Sequence, residues 1–282
     1  DPAAEDAQAQ LATLAQTSGA HATYADALVA AADGAEPGPR QYALLIEAGD
    51  VRARDLQDGE AAIGLYQRVL TADALPPTKL TVARRLEKLL DAAERYAERL
   101  GVLEGLAHLE TDPVERRRVL GQCARLAERL DEGDRSLGFW QQRLEADASD
   151  PEALDAMIEL TGRLERWELH VDALRRRVNA DVPRLQRRLD LARIANTQAA
   201  QLDRVSESID TWTQIQEDFG EDAETVDALF DLLVRAGRYD EIYALLQRAV
   251  ERDAARAAQV LAGGGDGGPE APAPGHRAAT PH

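Results

Sequence analysis

The chain is poor in the residues that cross-link or ligate. It has one cysteine, Cys123, in 282 residues, so it forms no internal disulfide and supplies no multi-thiolate zinc site. Met157 is the only methionine, and lysine occurs only at positions 79 and 88. Arginine carries the remaining positive charge, which reads as genome composition of a bacterial type. No apolar run approaches the ~18–20 residues needed to cross a bilayer, which excludes membrane insertion. Cations are also in deficit, 33 against 51 acidic residues for a net charge of −18. A general phosphate-backbone binder needs clustered cations, so nucleic acid is not an expected partner. No targeting segment is legible, and a cytoplasmic location is expected.

What the chain does contain is an internal repeat of about 72 residues. A shift of 72 places Leu137-Gly138-Phe139-Trp140 on Ile209-Asp210-Thr211-Trp212, and Arg166-Trp167-Glu168 on Arg238-Tyr239-Asp240, without a gap. An earlier copy aligns at 74 in its first half, with Tyr66 under Trp140. Its second half aligns at 71, with Arg95-Tyr96 under Arg166-Trp167. The extra residues fall in the Ala74-Leu75-Pro76-Pro77 loop. A half copy comes first, where Leu11, Leu14, His21 and Leu28 match Met157, Leu160, Trp167 and Leu174. The expected partition is a half unit at 3–36 and units at 37–112, 113–181 and 182–261, forming one solenoid over 1–261. The Gly/Pro-rich residues 262–282 are expected to be a disordered tail. Because Asp1 opens within a repeat, more repeats or another domain are expected upstream.

Each unit reads as four amphipathic helices. In the middle copy the first, about 113–130, places Leu120, Cys123, Ala127 and Leu130 on one face at helical spacing. The second carries Leu137, Trp140 and Leu144. The third starts after Asp150-Pro151, a capping residue followed by one suited to the first turn. The fourth carries Trp167, His170, Leu174 and Val178. Connections this short force antiparallel neighbours, so each unit is two hairpins. No strand-like alternation recurs. The expected fold is all-α, an open α-solenoid of about fourteen stacked helices.

The run Leu232-Leu233-Val234-Arg235-Ala236-Gly237-Arg238-Tyr239-Asp240-Glu241-Ile242, continuing to Leu246 and Ala249, resembles the turn and second helix of a tetratricopeptide (TPR) repeat. So does Asp58-Gly59-Glu60-Ala61-Ala62-Ile63 with Tyr66, and Asp150-Pro151 resembles a boundary between two such repeats. Ile242 and His170 stand where that family places a small alanine, and the stretch from Leu160 to Trp167 is about one turn shorter than its pattern. The resemblance implies a TPR-like superhelix that binds proteins or peptides in a groove lined by the first helices.

Residues that suggest chemistry have simpler readings. Cys123 is matched by Gly49 and Ala195 in the neighbouring copies, so small size is the common factor and close packing the expected role. Asp131-Glu132-Gly133-Asp134 lacks the EF-hand order and reads as an interhelical turn. The histidines at 21, 108 and 170 are scattered over different units, with no paired ligand spacing. No nucleophile elbow, P-loop or dinucleotide fingerprint occurs. No enzyme, metal or cofactor is expected. The recurring aromatics Tyr66, Trp140 and Trp212 read as core.

Charge placement is the one suggestive departure. Arg118, Gln122, Arg125 and Arg129 form a polar stripe at i, i+4, i+7 and i+11 on a first helix. Arg175–Arg177, including Arg176, and Arg184–Arg188, including Arg188, are expected to join into one basic surface. The bland reading is a solvated face of ion pairs. The sharper one is a groove for an acidic or C-terminal carboxylate segment, which arginine binds bidentately. The expected function is a non-enzymatic scaffold or adaptor holding a protein or peptide. The alternative is the regulatory repeat region of an enzyme whose catalytic domain lies upstream of Asp1.

Overall fold

The computed structural model describes residues 2–263. These form fourteen α-helices and, among the described residues, no strand. They are α1 (Pro2–Ser18), α2 (His21–Asp33), α3 (Pro39–Arg54), α4 (Gly59–Thr71), α5 (Pro76–Ala92), α6 (Tyr96–Leu109) and α7 (Pro113–Arg129). There follow α8 (Gly133–Ala146), α9 (Pro151–Arg163), α10 (Trp167–Val178), α11 (Arg184–Ala200), α12 (Val205–Phe219), α13 (Ala223–Ala236) and α14 (Tyr239–Gly263). The chain divides into two compact units, Asp1–Ala180 and Asp181–His282, at a boundary of the sequence repeat. Within each unit every helix packs on the next in the chain. The architecture is the expected all-α stack of antiparallel hairpins. The tail expected at 262–282 lies outside the described residues beyond Gly263.

Every hairpin turns on one residue with left-handed backbone. These residues are Gly19, Gln57, Glu94, Asp131, Glu165, Asp203 and Gly237, with φ from 53° to 72°. The residue after each donates its N–H back into the last turn of the preceding helix, as Glu132 does to the Ala127 carbonyl at 2.8 Å and Arg166 to that of Thr161 at 2.8 Å. This is the helix-ending arrangement in which glycine is usual. Only the first and last hairpins use it. In the acidic cluster the turn residue is Asp131, while Gly133 opens α8. Three of the six links between hairpins end in a capping aspartate: Asp112, Asp150 and Asp222 accept from the N–H groups of Val114 (2.9 Å), Ala153 (3.1 Å) and Thr225 (2.9 Å), capping α7, α9 and α13.

A buried small residue on one helix is followed at a fixed interval by a buried ring on the next. Gly49, Cys123 and Ala195 precede Tyr66, Trp140 and Trp212 at a constant interval, and all three rings are 2% exposed. At the first of these pairs a Cβ on Gly49 would lie 2.5 Å from Tyr66 Cε1, so glycine is required there. The ring ends are polar and are satisfied: Tyr66 donates to Asp50 at 2.6 Å and Trp140 Nε1 to Glu128 at 3.3 Å. Burial, with the Glu104 carboxylate adding, pushes the Cys123 thiol up to about 12. It is a packed small side chain and not an activated nucleophile.

Hairpins are joined laterally by ion pairs between residues 31 to 36 apart. Odd helices meet odd helices through Arg85–Asp50 (3.0 Å), Arg163–Glu128 (3.0 Å) and, in the second unit, Arg188–Glu224 (2.9 Å). Residues of even helices, or just before them, meet through Arg68–Asp33 (2.5 Å), Arg95–Glu60 (2.8 Å), Arg135–Glu104 (2.6 Å) and Arg166–Asp134 (3.0 Å). The pattern sorts the helices of the first unit into two layers. Exposed pairs contribute little individually, so cohesion rests on the apolar surface beneath them.

One pair is buried. Arg143 grips Asp150 through Nε (2.7 Å) and Nη2 (3.1 Å), and Nη2 also reaches Glu152 at 2.6 Å. Its guanidinium lies 5.5 Å from the Trp140 ring centre. A Cβ on Gly121 would come within 2.6 Å of Arg143 Nη1, so the absence of that atom opens the path along α7. Burial raises the Asp150 pKa, but Arg143, the Ala153 N–H and Arg117 together outweigh it and hold the carboxyl below its ordinary 3.8.

Two outcomes follow from this packing. Trp140→Ala is expected to lose ~3–5 kcal/mol, read from urea or thermal melts, because it empties a full ring site. Ionised Asp150 stabilises the fold above its ordinary pKa, and that stability is lost as pH falls through the depressed folded value. Asp150→Asn is therefore expected to lower the urea midpoint at about pH 7, with the gap to the parent narrowing towards about pH 2.

Candidate protein-binding cleft

A cleft of about 590 Å³ opens between α5, α6 and α7. Leu103 and Leu106 of α6 with Val119 of α7 touch it from below but are at most 4% exposed. Arg84, Glu87 and Lys88 of α5 line one wall, and Glu115, Arg118 and Gln122 of α7 the other. These side chains reach one space because residues three to four apart share a helix face. The linker supplies Glu110 and Asp112 at one end.

Most acids of the cleft are already held by the protein. Glu110 is 8% exposed and accepts from Arg84 (2.5 Å) and from the N–H groups of Thr111 (3.1 Å) and Asp112 (3.2 Å). Burial raises its pKa, yet these donors prevail and keep it low, so it is a fixed anion. Glu87 is held by Arg99 at 2.5 Å, and Asp112 caps α7. Arg118 bonds Glu115 (2.9 Å) and donates to Gln122 (3.1 Å), with its side chain 53% exposed. Lys88 makes no hydrogen bond or ion pair among the described residues. The cleft thus offers a free ammonium and an exposed guanidinium within a mostly polar lining.

Of the stripe expected on α7, the structure brings Arg118 and Gln122 into this cleft and turns the other two aside. Arg125 pairs with Glu152 of α9 and lies 6.0 Å from the Trp140 ring centre. Arg129 stacks 4.2 Å from the Tyr96 ring centre and donates to its hydroxyl at 3.3 Å. Arg176 is on α10, paired with Asp172 at 2.9 Å. Arg188 is in the second unit, where it meets Asp222 (2.6 Å) and Glu224 (2.9 Å). Arg84, Lys88 and Glu110 escaped the sequence reading. They sit on another hairpin, and repeat alignment gives no sign that their side chains converge on α7.

Other features are structural in setting. His170 Nδ1 lies 3.0 Å from the Ile158 carbonyl and 3.2 Å from Thr161 Oγ1, half-buried at the edge of a core. Among the described residues no group of three or more His, Cys, Asp or Glu side chains is placed to hold a metal. No helix among them is long and apolar enough to cross a membrane.

No protein-family profile and no curated protein sequence matches the chain. Solved structures do resemble it at low identity. A tetratricopeptide repeat protein from Parabacteroides merdae is 16% identical over 74% of this chain and 79% of its own, with a TM-score of 0.37. YrrB, described as a TPR protein with an unusual peptide-binding site, is 13% identical over 72% and 98%, with a TM-score of 0.35. MamA from Desulfovibrio magneticus is 13% identical over 63% and 96%, with a TM-score of 0.33. Superpositions this loose add no weight, and the fold assignment rests on this chain's own turns and packing. It is a helical-hairpin repeat that resembles the TPR arrangement.

Proposed function

We propose that the chain is a non-enzymatic interaction scaffold whose α5–α7 cleft receives an extended peptide bearing carboxylates. The observation that carries this reading is uncommitted Lys88 on one wall with exposed Arg118 and Gln122 on the facing wall. A carboxylate, from an acidic side chain or a free chain end, takes Lys88 as a point charge and Arg118 in its planar fork. The lining carries Glu87, Glu110, Asp112 and Glu115 against Arg84, Lys88 and Arg118. With the acids held by Arg99, Arg84, the α7 N-terminus and Arg118, it favours a single carboxylate at Lys88 and Arg118 over a long polyanion. Arg176 in the first unit and Arg188 in the second are each proposed as further, separate contacts for a protein partner.

The test is a library of fluorescein-labelled peptides ending in acidic residues with a free carboxylate, screened against the protein by anisotropy. Binders are expected to weaken as salt rises. Lys88→Glu with Arg118→Glu is expected to weaken them by about tenfold or more, since hydrogen bonds to charged groups are worth ~1.5–3 kcal/mol. Far-UV circular dichroism is expected to stay unchanged. Equal binding by the reversed variant would exclude the cleft.

A further inference from the structure

The last hairpin exposes a face that inner hairpins bury. On α14, Tyr239, Tyr243, Leu246 and Val250 fall at i, i+4, i+7 and i+11, and are 71%, 74%, 44% and 69% exposed. Repeat alignment equates the last three with Leu100, Leu103 and Ala107 of α6, all at most 4% exposed. Both helices keep their hairpin partner, α5 for α6 and α13 for α14. What differs is the following helix: α7 packs on α6, and no described helix follows α14. The α13 side has turned apolar as well. Phe230 and Val234 occupy the positions of Glu87 and Asp91, the two acids that hold Arg99 on α5–α6. Phe230 and Val234 are 36% and 46% exposed, so the open surface carries large apolar side chains from both helices.

Charge specifies what fits. Asp227 and Asp231 stand where the first full unit has Arg84 and Lys88, and both lack any hydrogen bond or ion pair among the described residues. Tyr96, the equivalent of Tyr239, carries the stacked guanidinium of Arg129 from the covering helix. The face therefore calls for a helix with an apolar stripe and flanking cations. A second copy offers no match: α1, with Leu11 and Leu14 exposed, contains no arginine or lysine. Two α13–α14 faces set together would oppose Asp227 and Asp231 with themselves. Residues 264–282 contain no leucine, isoleucine, valine or aromatic side chain to fill the stripe.

We propose that the α13–α14 face is a docking site for a cationic amphipathic helix of a partner protein. Its apolar stripe lies on Tyr243, Leu246 and Val250 and against Phe230. Its cations meet Asp227 and Asp231, with one arginine stacked on Tyr239.

The probe is a labelled peptide of residues 111–131, the helix that covers the equivalent surface inside the first unit, titrated with the full chain. Saturable binding is expected, weakened by more than about tenfold in Tyr243→Asp with Leu246→Asp. Asp227→Lys with Asp231→Lys is expected to weaken it and flatten its salt dependence. These positions are exposed, so circular dichroism is expected to be unchanged. No binding, or equal binding by the Tyr243/Leu246 variant, overturns the proposal. So does a dimer in sedimentation that Tyr243→Asp dissolves, because a second copy is then the occupant. Lys88→Glu with Arg118→Glu is expected to leave this peptide's affinity intact, which separates the site from the α5–α7 cleft.

Discussion

The fold depends on a backbone constraint before it depends on any side-chain contact: one left-handed residue, repeated at each of the seven hairpins, that reverses the chain within about a single turn of helix. An L-residue in this conformation gives up roughly 1–2 kcal/mol, and five of the seven positions are not glycine. The return on that strain is geometric. A turn closed by backbone hydrogen bonds into the preceding helix fixes the angle between two helices independently of their sequences, and a buried small residue on one is followed at a fixed interval by a buried ring on the next. Gly49 with Tyr66, Cys123 with Trp140 and Ala195 with Trp212 are one solution written three times.

The cleft follows from the same regularity. Turns of constant geometry put first helices in one layer and second helices in the other, and ion pairs a hairpin apart record this sorting along the edges. Two neighbouring first helices, α5 and α7, then present facing walls, with the α6 leucines buried between them. Chemistry is added by single substitutions on a fixed frame. Arg84 and Lys88 in one unit become Asp227 and Asp231 in another, which inverts the charge a ligand must carry while leaving the helices in place.

Much of this was legible in the sequence. Helical spacing, Asp-Pro boundaries and the 72-residue shift placed fourteen helices, and the equivalence of Cys123 with glycine and alanine identified a packing position without coordinates. The turns were less legible, because Gln57, Glu94 and Asp131 carry no local mark of positive φ, and a nearby glycine such as Gly133 draws the eye instead. The cleft was half legible. Arg118 and Gln122 stand one turn apart on one helix, which spacing reveals. Lys88 and the Arg84–Glu110 pair lie across a hairpin boundary, where convergence depends on how helices cross. Arg143 was invisible for the opposite reason: an arginine reads as surface until Gly121 makes room to bury it beside Asp150.

The contrast between the two kinds of connection has a kinetic meaning. The turn inside a hairpin never changes its plan, whereas the links between hairpins absorb the length variation, with the extra residues near Ala74–Pro77. Since every helix finds its partners within about one hairpin's length of chain, the loops to be closed are short and their entropy is modest. Nucleation needs no distant segment and is free to begin at any well-formed pair and spread outward, in the manner of a zipper with many starting points.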